Sequence, residues 1–424
     1  MRRGAAAASE QGIIRTYLAV TALTTLAQSL IWGVNTLFLM EAGLDILGVM
    51  VANAAFTVAQ VLFEVPTGVV ADTWGRRASY LLSVAVIMAG TLLYVWAGTA
   101  RAGLPALCLA SVVLGLGFTF YTGAVDAWMV DALHSVNSTM QTENVFARSA
   151  VVFGVFMVIG TTAGGVLGQT ALWLPYIGRV VFLVPALVLG LTSMPDLGFQ
   201  HRALTWSTVG SEVCTVAATG VRYGTRNPVV RSLMLAGCVQ GLFGMYGFYS
   251  WQRYFLDLLG RDLIWVSGLI AAAVGLAGAA GSALVRPLMV RRPRRSSVLI
   301  WAVAATSVCI VLAGMVRVFW VAVPLYIVAC VLGGIGSPVR SAWLNACIPS
   351  EQRATLISLD SLFGEAGGTA GQLGLGYVSR VVSIGTAWVI GGIVQIGSLP
   401  FLGLARHRGP ASDAGGTCDV TPAV

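Results

Sequence analysis

Acids are scarce in this 424-residue chain, 17 Asp and Glu in all, and those set in apolar runs stand out. Asp126 and Asp131 share the run Tyr121-Thr-Gly123-Ala-Val-Asp126-Ala-Trp128-Met-Val-Asp131. Glu64 stands just before Pro66 in a second run, and Asp360 and Glu365 stand near the start of a third. A carboxylate at mid-bilayer costs about 2.5–3.5 kcal/mol on insertion scales, so each such acid is by default a functional residue. On a helix, five residues separate Asp126 and Asp131 by about 7.5 Å along the axis and turn them roughly 140° apart. Asp126 is the candidate proton or cationic-substrate site, since protonation of a desolvated carboxyl is an event that couples to conformational change. Its alternative role is an ion pair with a nearby arginine such as Arg148. Glu64 is a second candidate, against a local bond to the Pro66/Thr67 turn.

The elements that must position these acids follow from composition. Hydrophobic residues make up 57% of the chain and charged residues 10%, against about 25% charged in a soluble domain. The expected class is an all-α polytopic membrane protein. Apolar segments run over about 16–40, 47–70, 79–99, 104–130, 149–169, 174–194, 229–256, 263–285, 297–316, 319–341, 355–378 and 384–405, which makes twelve expected spans. With the N-terminus in the cytoplasm, nineteen of the 25 arginines fall on inner segments and six on outer ones. The positive-inside rule therefore predicts both termini in the cytoplasm. The longest polar interruption divides the chain into an N-terminal six-helix bundle (1–194), a cytoplasmic linker (195–228) with a candidate surface helix over 207–226, and a C-terminal six-helix bundle (229–408). The Gly/Pro/Ala-rich tail (409–424) is expected to be disordered.

All 25 basic residues are arginine, so a Walker A lysine for an ATP-driven pump is absent, as is a lysine for a retinal or pyridoxal Schiff base. The three histidines, His134, His201 and His407, fall in polar connections or the tail, and no HExxH motif occurs. An intramembrane hydrolase is disfavoured, and neither a cofactor nor a metal site is expected. Seven cysteines, never spaced as CxxC, read as packing thiols without a disulfide framework. The net charge of +8 follows membrane topology, so nucleic acid is not an expected partner.

The most specific pattern is Gly68-Val-Val-Ala-Asp72-Thr-Trp-Gly75-Arg76-Arg77, at the inner end of the second span. It matches G-x-x-x-D-x-x-G-R-[KR] at every defined position, in the loop between spans 2 and 3, and there the chain resembles the major facilitator superfamily. Gly68 suits close helix packing, Gly75 a sharp turn, and the Asp/Arg/Arg group charge-assisted pairing at the membrane surface. The resemblance implies a latch between the two halves, with Gly68, Asp72, Gly75, Arg76, Arg77 and Asp131 as a gating group and Asp131 pairing with a loop arginine. Asp360 or Glu365 is the expected completion of that latch. A topology anchor with a local ion pair is the plainer reading of the same loop. In the second half the equivalent loop, Arg286 to Arg295, keeps its basic charge but has no acid.

Span 5 carries Gly160-x-x-x-Gly164-x-x-x-Gly168 and span 11 six glycines between Gly364 and Gly376, faces that let membrane helices approach closely. The family's antiporter signature in span 5 has a Gly-Pro pair; here Thr161 follows Gly160, which weakens an inference of antiport. Asn35, Tyr121 and Trp343 are expected to line a cavity with other polar and aromatic residues of the spans. The family resemblance implies a secondary transporter of the plasma membrane, not an enzyme, working by alternating access between two six-helix halves. Its expected task is proton-coupled efflux of a small, hydrophobic or cationic organic solute. Proton-independent uptake of a nutrient and a non-transporting sensor or lipid-handling scaffold are the alternatives. Arginine in place of all lysine, with abundant Ala, Gly and Val, suggests a bacterial source.

Overall fold

The computed structural model describes residues 9–138, 140–197, 227–291, 294–349 and 352–416, without the Ala354 side chain. The candidate surface helix over 207–226 and the last eight residues of the tail lie outside them. Two compact units are present. The first comprises Met1–Leu44, Ala55–Val209 and Leu263–Ala272, and the second Asp45–Ala54, Gly210–Asp262 and Ala273–Val424.

In the first unit, α1 (Glu10–Ser29) starts where the Ser9 hydroxyl accepts from the Gly12 amide, and α2 (Asn35–Glu41) continues the same span after a short break. There follow α3 (Ile46–Trp74), whose first nine residues belong to the second unit, α4 (Arg76–Thr99), α5 (Leu104–Tyr121), α6 (Ala124–Ser135), α7 (Thr142–Thr170) and α8 (Leu174–Ser193). Helix α1 packs on α7 and α8, and α4 on α5 and α8. The close approach of α7 to α1 depends on the glycines of span 5. A Cβ at Gly164 would fall on the Leu30 carbonyl, and one at Gly160 on the Ser29 hydroxyl. Gly68 behaves otherwise: a Cβ there would meet nothing within 4 Å, so no helix packs closely against it and its expected packing role is not found.

The second unit begins with α9 (Pro228–Leu259), whose first amides, Val229 and Val230, donate to Asn227 Oδ1. It continues through α10 (Ile264–Ala283), whose first nine residues belong to the first unit, α11 (Val285–Arg291), α12 (Arg295–Met315), α13 (Phe319–Ala346), α14 (Arg353–Val381), α15 (Ile384–Ile396) and α16 (Leu399–Arg408). Helix α9 lies along α14, where Gly367 and Gly371 abut the Cys238 and Leu242 carbonyls, and α12 packs on α13 and α15. Leu233, Val339, Trp343, Leu344 and Leu402 form the centre of an apolar core. The tail departs from expectation: α17 (Pro410–Asp413) follows α16 directly, with Ser412 and Asp413 buried.

Among the described residues ten helical segments are long and apolar enough to cross a membrane, taking α5 with α6, α10 with α11 and α15 with α16. The other two expected spans are helical as well, but Thr21, Thr24, Thr25 and Gln28 dilute α1, and Asp360, Glu365 and Gln372 dilute α14. The chain is an all-helical, multi-pass membrane protein.

Candidate functional site

Span 4 is not continuous. Helix α5 ends at Tyr121, Gly123 takes φ 75°, and α6 restarts at Ala124. A side-chain-bearing residue rarely adopts that φ, so glycine is what permits the break. Asp126 thus falls in the first turn of α6, where the partial positive charge of a helix N-terminus favours a carboxylate.

Around Asp126 the first unit assembles a polar group from three spans. Tyr17 of α1 donates its hydroxyl to Asp126 Oδ1 at 2.7 Å and lies 3.2 Å from the Ser149 hydroxyl of α7. Two helical turns from Tyr17, Thr24 meets the Tyr121 hydroxyl at 3.1 Å. Asp126 itself is exposed, while Tyr17 is only 2% exposed. No ion pair joins Asp126 to Arg148 among the described residues; the partner is a phenol. Tyr121 belongs to this polar group through Thr24, and the residues the sequence reading missed are Tyr17, Ser149 and Thr24. No motif marks them, since a single tyrosine near a helix start is an ordinary membrane-interface residue.

The other candidates are dispersed. Asn35 Oδ1 accepts from the Tyr94 and Tyr176 hydroxyls at 3.0 and 2.9 Å, within an aromatic cluster that includes Phe38. Beside it Arg179 is 2% exposed within α8, and its Nε has no hydrogen-bond partner among the described residues. Glu64 is exposed on α3, not buried. The expected turn is not found: α3 runs through Pro66, and the Thr67 hydroxyl donates back to the Phe63 and Glu64 carbonyls within the helix. Trp343 lines no cavity: it is fully buried, and its Nε1 donates to Ser412 Oγ at 3.0 Å.

The gating group is partly as expected. Gly75 takes φ 102° and opens α4, and Arg76 pairs with Asp72 at 2.9 Å, one turn apart. Arg77 turns to the end of α8, donating Nε to the Gly190 carbonyl at 3.2 Å and Nη2 to that of Leu191. Its backbone amide donates to Asp196 at 3.0 Å. Asp131 makes no ion pair with Arg76 or Arg77 among the described residues, so the expected pairing is replaced by Asp196 and the carbonyls. Asp360, the other residue expected in the latch, forms a two-pronged pair with Arg340 of α13, inside the second unit, with Arg340 Nη1 to Oδ2 at 2.9 Å.

The second unit repeats the Asp196 arrangement without the loop motif. Asp413 accepts from the Ser296 amide and hydroxyl at 2.6 and 2.7 Å, at the start of α12, and Arg295 Nη1 reaches the Ser412 carbonyl at 2.8 Å. A tryptophan joins each: Trp128 Nε1 donates to the Pro195 carbonyl at 2.9 Å, as Trp343 does to Ser412. Cys347 is disulfide-bonded, so the expectation of thiols alone does not hold for it. Among the described residues no group of three or more His, Cys, Asp or Glu is placed to hold a metal ion.

Comparisons with known proteins agree with this architecture. The tetracycline resistance protein, class C, of Escherichia coli is 27% identical over 372 residues, covering 86% of this chain and 88% of its own. The uncharacterized MFS-type transporter YxaM of Bacillus subtilis is 23% identical, covering 88% and 91%. The tetracycline resistance protein, class G, of Vibrio anguillarum is 24% identical, covering 82% and 85%. Among solved structures, the nucleoside transporter NupG superimposes with a TM-score of 0.74 at 12% identity over 92% of this chain and 98% of that one. The human organic anion transporter MFSD10 gives 0.61 at 16% identity over 93% and 100%. At those identities the structural likeness speaks for the fold alone. The family model that matches is the Major Facilitator Superfamily, over residues 17–371, and in keeping with the motif at Gly68–Arg77 and the two helical units, the chain belongs to that family of secondary transporters.

Proposed function

We propose that the protein is a proton-coupled exporter of a small organic solute in a bacterial plasma membrane, with both termini in the cytoplasm. The observation that carries the coupling is the group around Asp126. A carboxylate accepts only, so unprotonated Asp126 holds the Tyr17 hydroxyl at 2.7 Å. A protonated Asp126 has a donor of its own, and the Tyr17 hydroxyl then has Ser149 within 3.2 Å as its alternative acceptor. One proton thereby reverses the direction of the hydrogen bonds that tie α1 to α6 and α7. In a family that moves its halves by alternating access, that is the local event a coupling site requires.

Export is supported by the relatives named as tetracycline resistance proteins, because a carrier that protects by transport must move the drug outward. The arginine distribution, nineteen inner to six outer, supports the orientation. Asp72, Gly75, Arg76 and Arg77 are assigned to gating, and Asp126 with Tyr17, Tyr121 and Ser149 to proton handling.

The test is reconstitution in liposomes with a trapped pH dye, an imposed proton gradient, and a screen of hydrophobic and cationic compounds. A compound that drives proton flux in the wild type and none in Asp126→Asn is the expected result, with Tyr17→Phe reducing flux severalfold. Solute movement without proton flux would make the protein a facilitator and Asp126 a packing or gating residue.

A further inference from the structure

Buried arginines in this chain are not all treated alike. Arg340 grips Asp360 with both Nη atoms, and Arg77 spends its guanidinium on the Gly190 and Leu191 carbonyls. Arg179 of α8 is 2% exposed, yet its Nε has no partner, and neither a hydrogen bond nor an ion pair joins the rest of its guanidinium to a described residue. The titratable groups that act on it are two phenols, Tyr176 and Tyr94, with no carboxylate among them. A guanidinium stays charged at any physiological pH, so Arg179 cannot shed its proton as a buried lysine would. An enclosed charge with no countercharge is strongly destabilising.

The surroundings decide what size of anion could supply it. Tyr176 lies one turn before Arg179 on the same face of α8. Its ring packs against Phe38 at 4.7 Å and Tyr94 at 5.5 Å between centroids, and all three side chains are 2% exposed or less. On the far side a Cβ at Gly98 would fall on the Phe38 ring. A solute bearing a carboxylate would have to displace a packed ring, which a close-packed interior resists. A monatomic anion needs no more space than a water molecule. Donors for it are at hand in the Tyr94 and Tyr176 hydroxyls, which now donate to Asn35 Oδ1 at 3.0 and 2.9 Å and whose hydrogens rotate to suit a new acceptor. Water would satisfy the N–H groups but would leave the charge uncompensated.

We infer that Arg179 holds a chloride ion between α2, α4 and α8 of the first unit, with the Tyr94 and Tyr176 hydroxyls as further donors. The ion completes the charge balance of the bundle and is not itself a transported solute. Arg179 stands five residues into α8, about 7.5 Å along its axis from the helix start, which is the outer end in the orientation proposed above. The binding depends neither on that orientation nor on the transport reading, since a bound halide stabilises the fold whichever solute is moved.

The experiment is thermal unfolding of the full chain in detergent micelles at constant sodium, with chloride replacing gluconate. A saturable rise of the unfolding midpoint is expected, about 2 °C or more by about 200 mM chloride, with bromide acting alike. No rise, or one that never saturates and is larger with sulfate, is general salt exclusion and overturns the inference. Arg179→Gln and Arg179→Met should lose the chloride response, and a response kept in either folded variant overturns it. In gluconate, Arg179→Met should unfold no lower than the wild type, because it removes a charge that has no countercharge there. A clear loss of midpoint would show that the protein alone already satisfies the guanidinium, and equally overturns the inference. If neither variant folds, wild-type crystals grown in bromide decide: an anomalous peak beside the Arg179 guanidinium supports the site, and its absence sinks it.

Discussion

The starts of α4 and α12 are built alike from unlike sequences. In each unit an acid beyond the sixth span of that half caps the third span, Asp196 for Arg77 and Asp413 for Ser296, across 119 and 117 residues. In each a buried tryptophan of the fourth span ties down the same segment, Trp128 across 67 residues and Trp343 across 69. Only the first has the full loop motif. There the acid is exposed, and the Asp72–Arg76 pair is about a quarter to a third exposed. In the second unit no motif acid exists, yet Asp413 is 2% exposed and makes two hydrogen bonds to Ser296. The clasp and the motif are therefore separable. The clasp holds a helix start in both units, and what the motif adds is confined to the exposed first one, as a feature poised to change would be.

The sharpest way to break this comparison is to remove the second clasp. Truncation after Gly409 deprives Ser296 of its acceptor and Trp343 of its partner, and a loss of about 3–5 kcal/mol is expected, read as a fall in the unfolding midpoint in micelles. Asp413→Ala alone should cost about 2–3 kcal/mol, because two donors stay buried without an acceptor. Asp196→Ala, in the exposed clasp, should cost about 0.5–1 kcal/mol, the ordinary value of a helix cap. Equal losses for the two acids would refute the distinction between a structural clasp and an adjustable one. The smallest stability effect belongs to Asp72→Asn, below about 0.5 kcal/mol for an exposed pair one turn apart. If it nonetheless alters the transport rate severalfold in liposomes, Asp72 acts in gating and not in folding. An unchanged rate would leave the loop a topology anchor.

Much of this fold was legible before any coordinates. Twelve apolar segments became helices, the glycines of span 5 became the contact of α7 with α1, and Gly75 became a helix start at positive φ. These depend on residues near one another in the chain. Of the proposed site, the sequence offered Asp126 and Tyr121 as candidates but not Tyr17 or Ser149, which come from other spans. It failed for Trp343, whose indole is a core group, and for Asn35, which serves two tyrosines far from Asp126. Asp131 failed because a partner was assigned to it by position along the span, whereas the partner is set by which face of which helix it meets. The tail was read as disordered because Gly, Pro and Ala dominate it, yet one Asp and one Ser within it suffice to dock Pro410–Asp413.

By itself the sequence determined that the chain is a multi-pass helical membrane protein with a family-specific loop. Hydropathy, helical period and a contiguous motif are local properties, and the bilayer allows few other ways to satisfy a backbone. Only the tertiary structure decided that Asp126 answers to Tyr17, that Asp360 belongs to Arg340, and that Arg179 is enclosed beside two tyrosines. Those pairings come from helices that meet after long stretches of chain, and their energies depend on burial and distance, which no single segment contains.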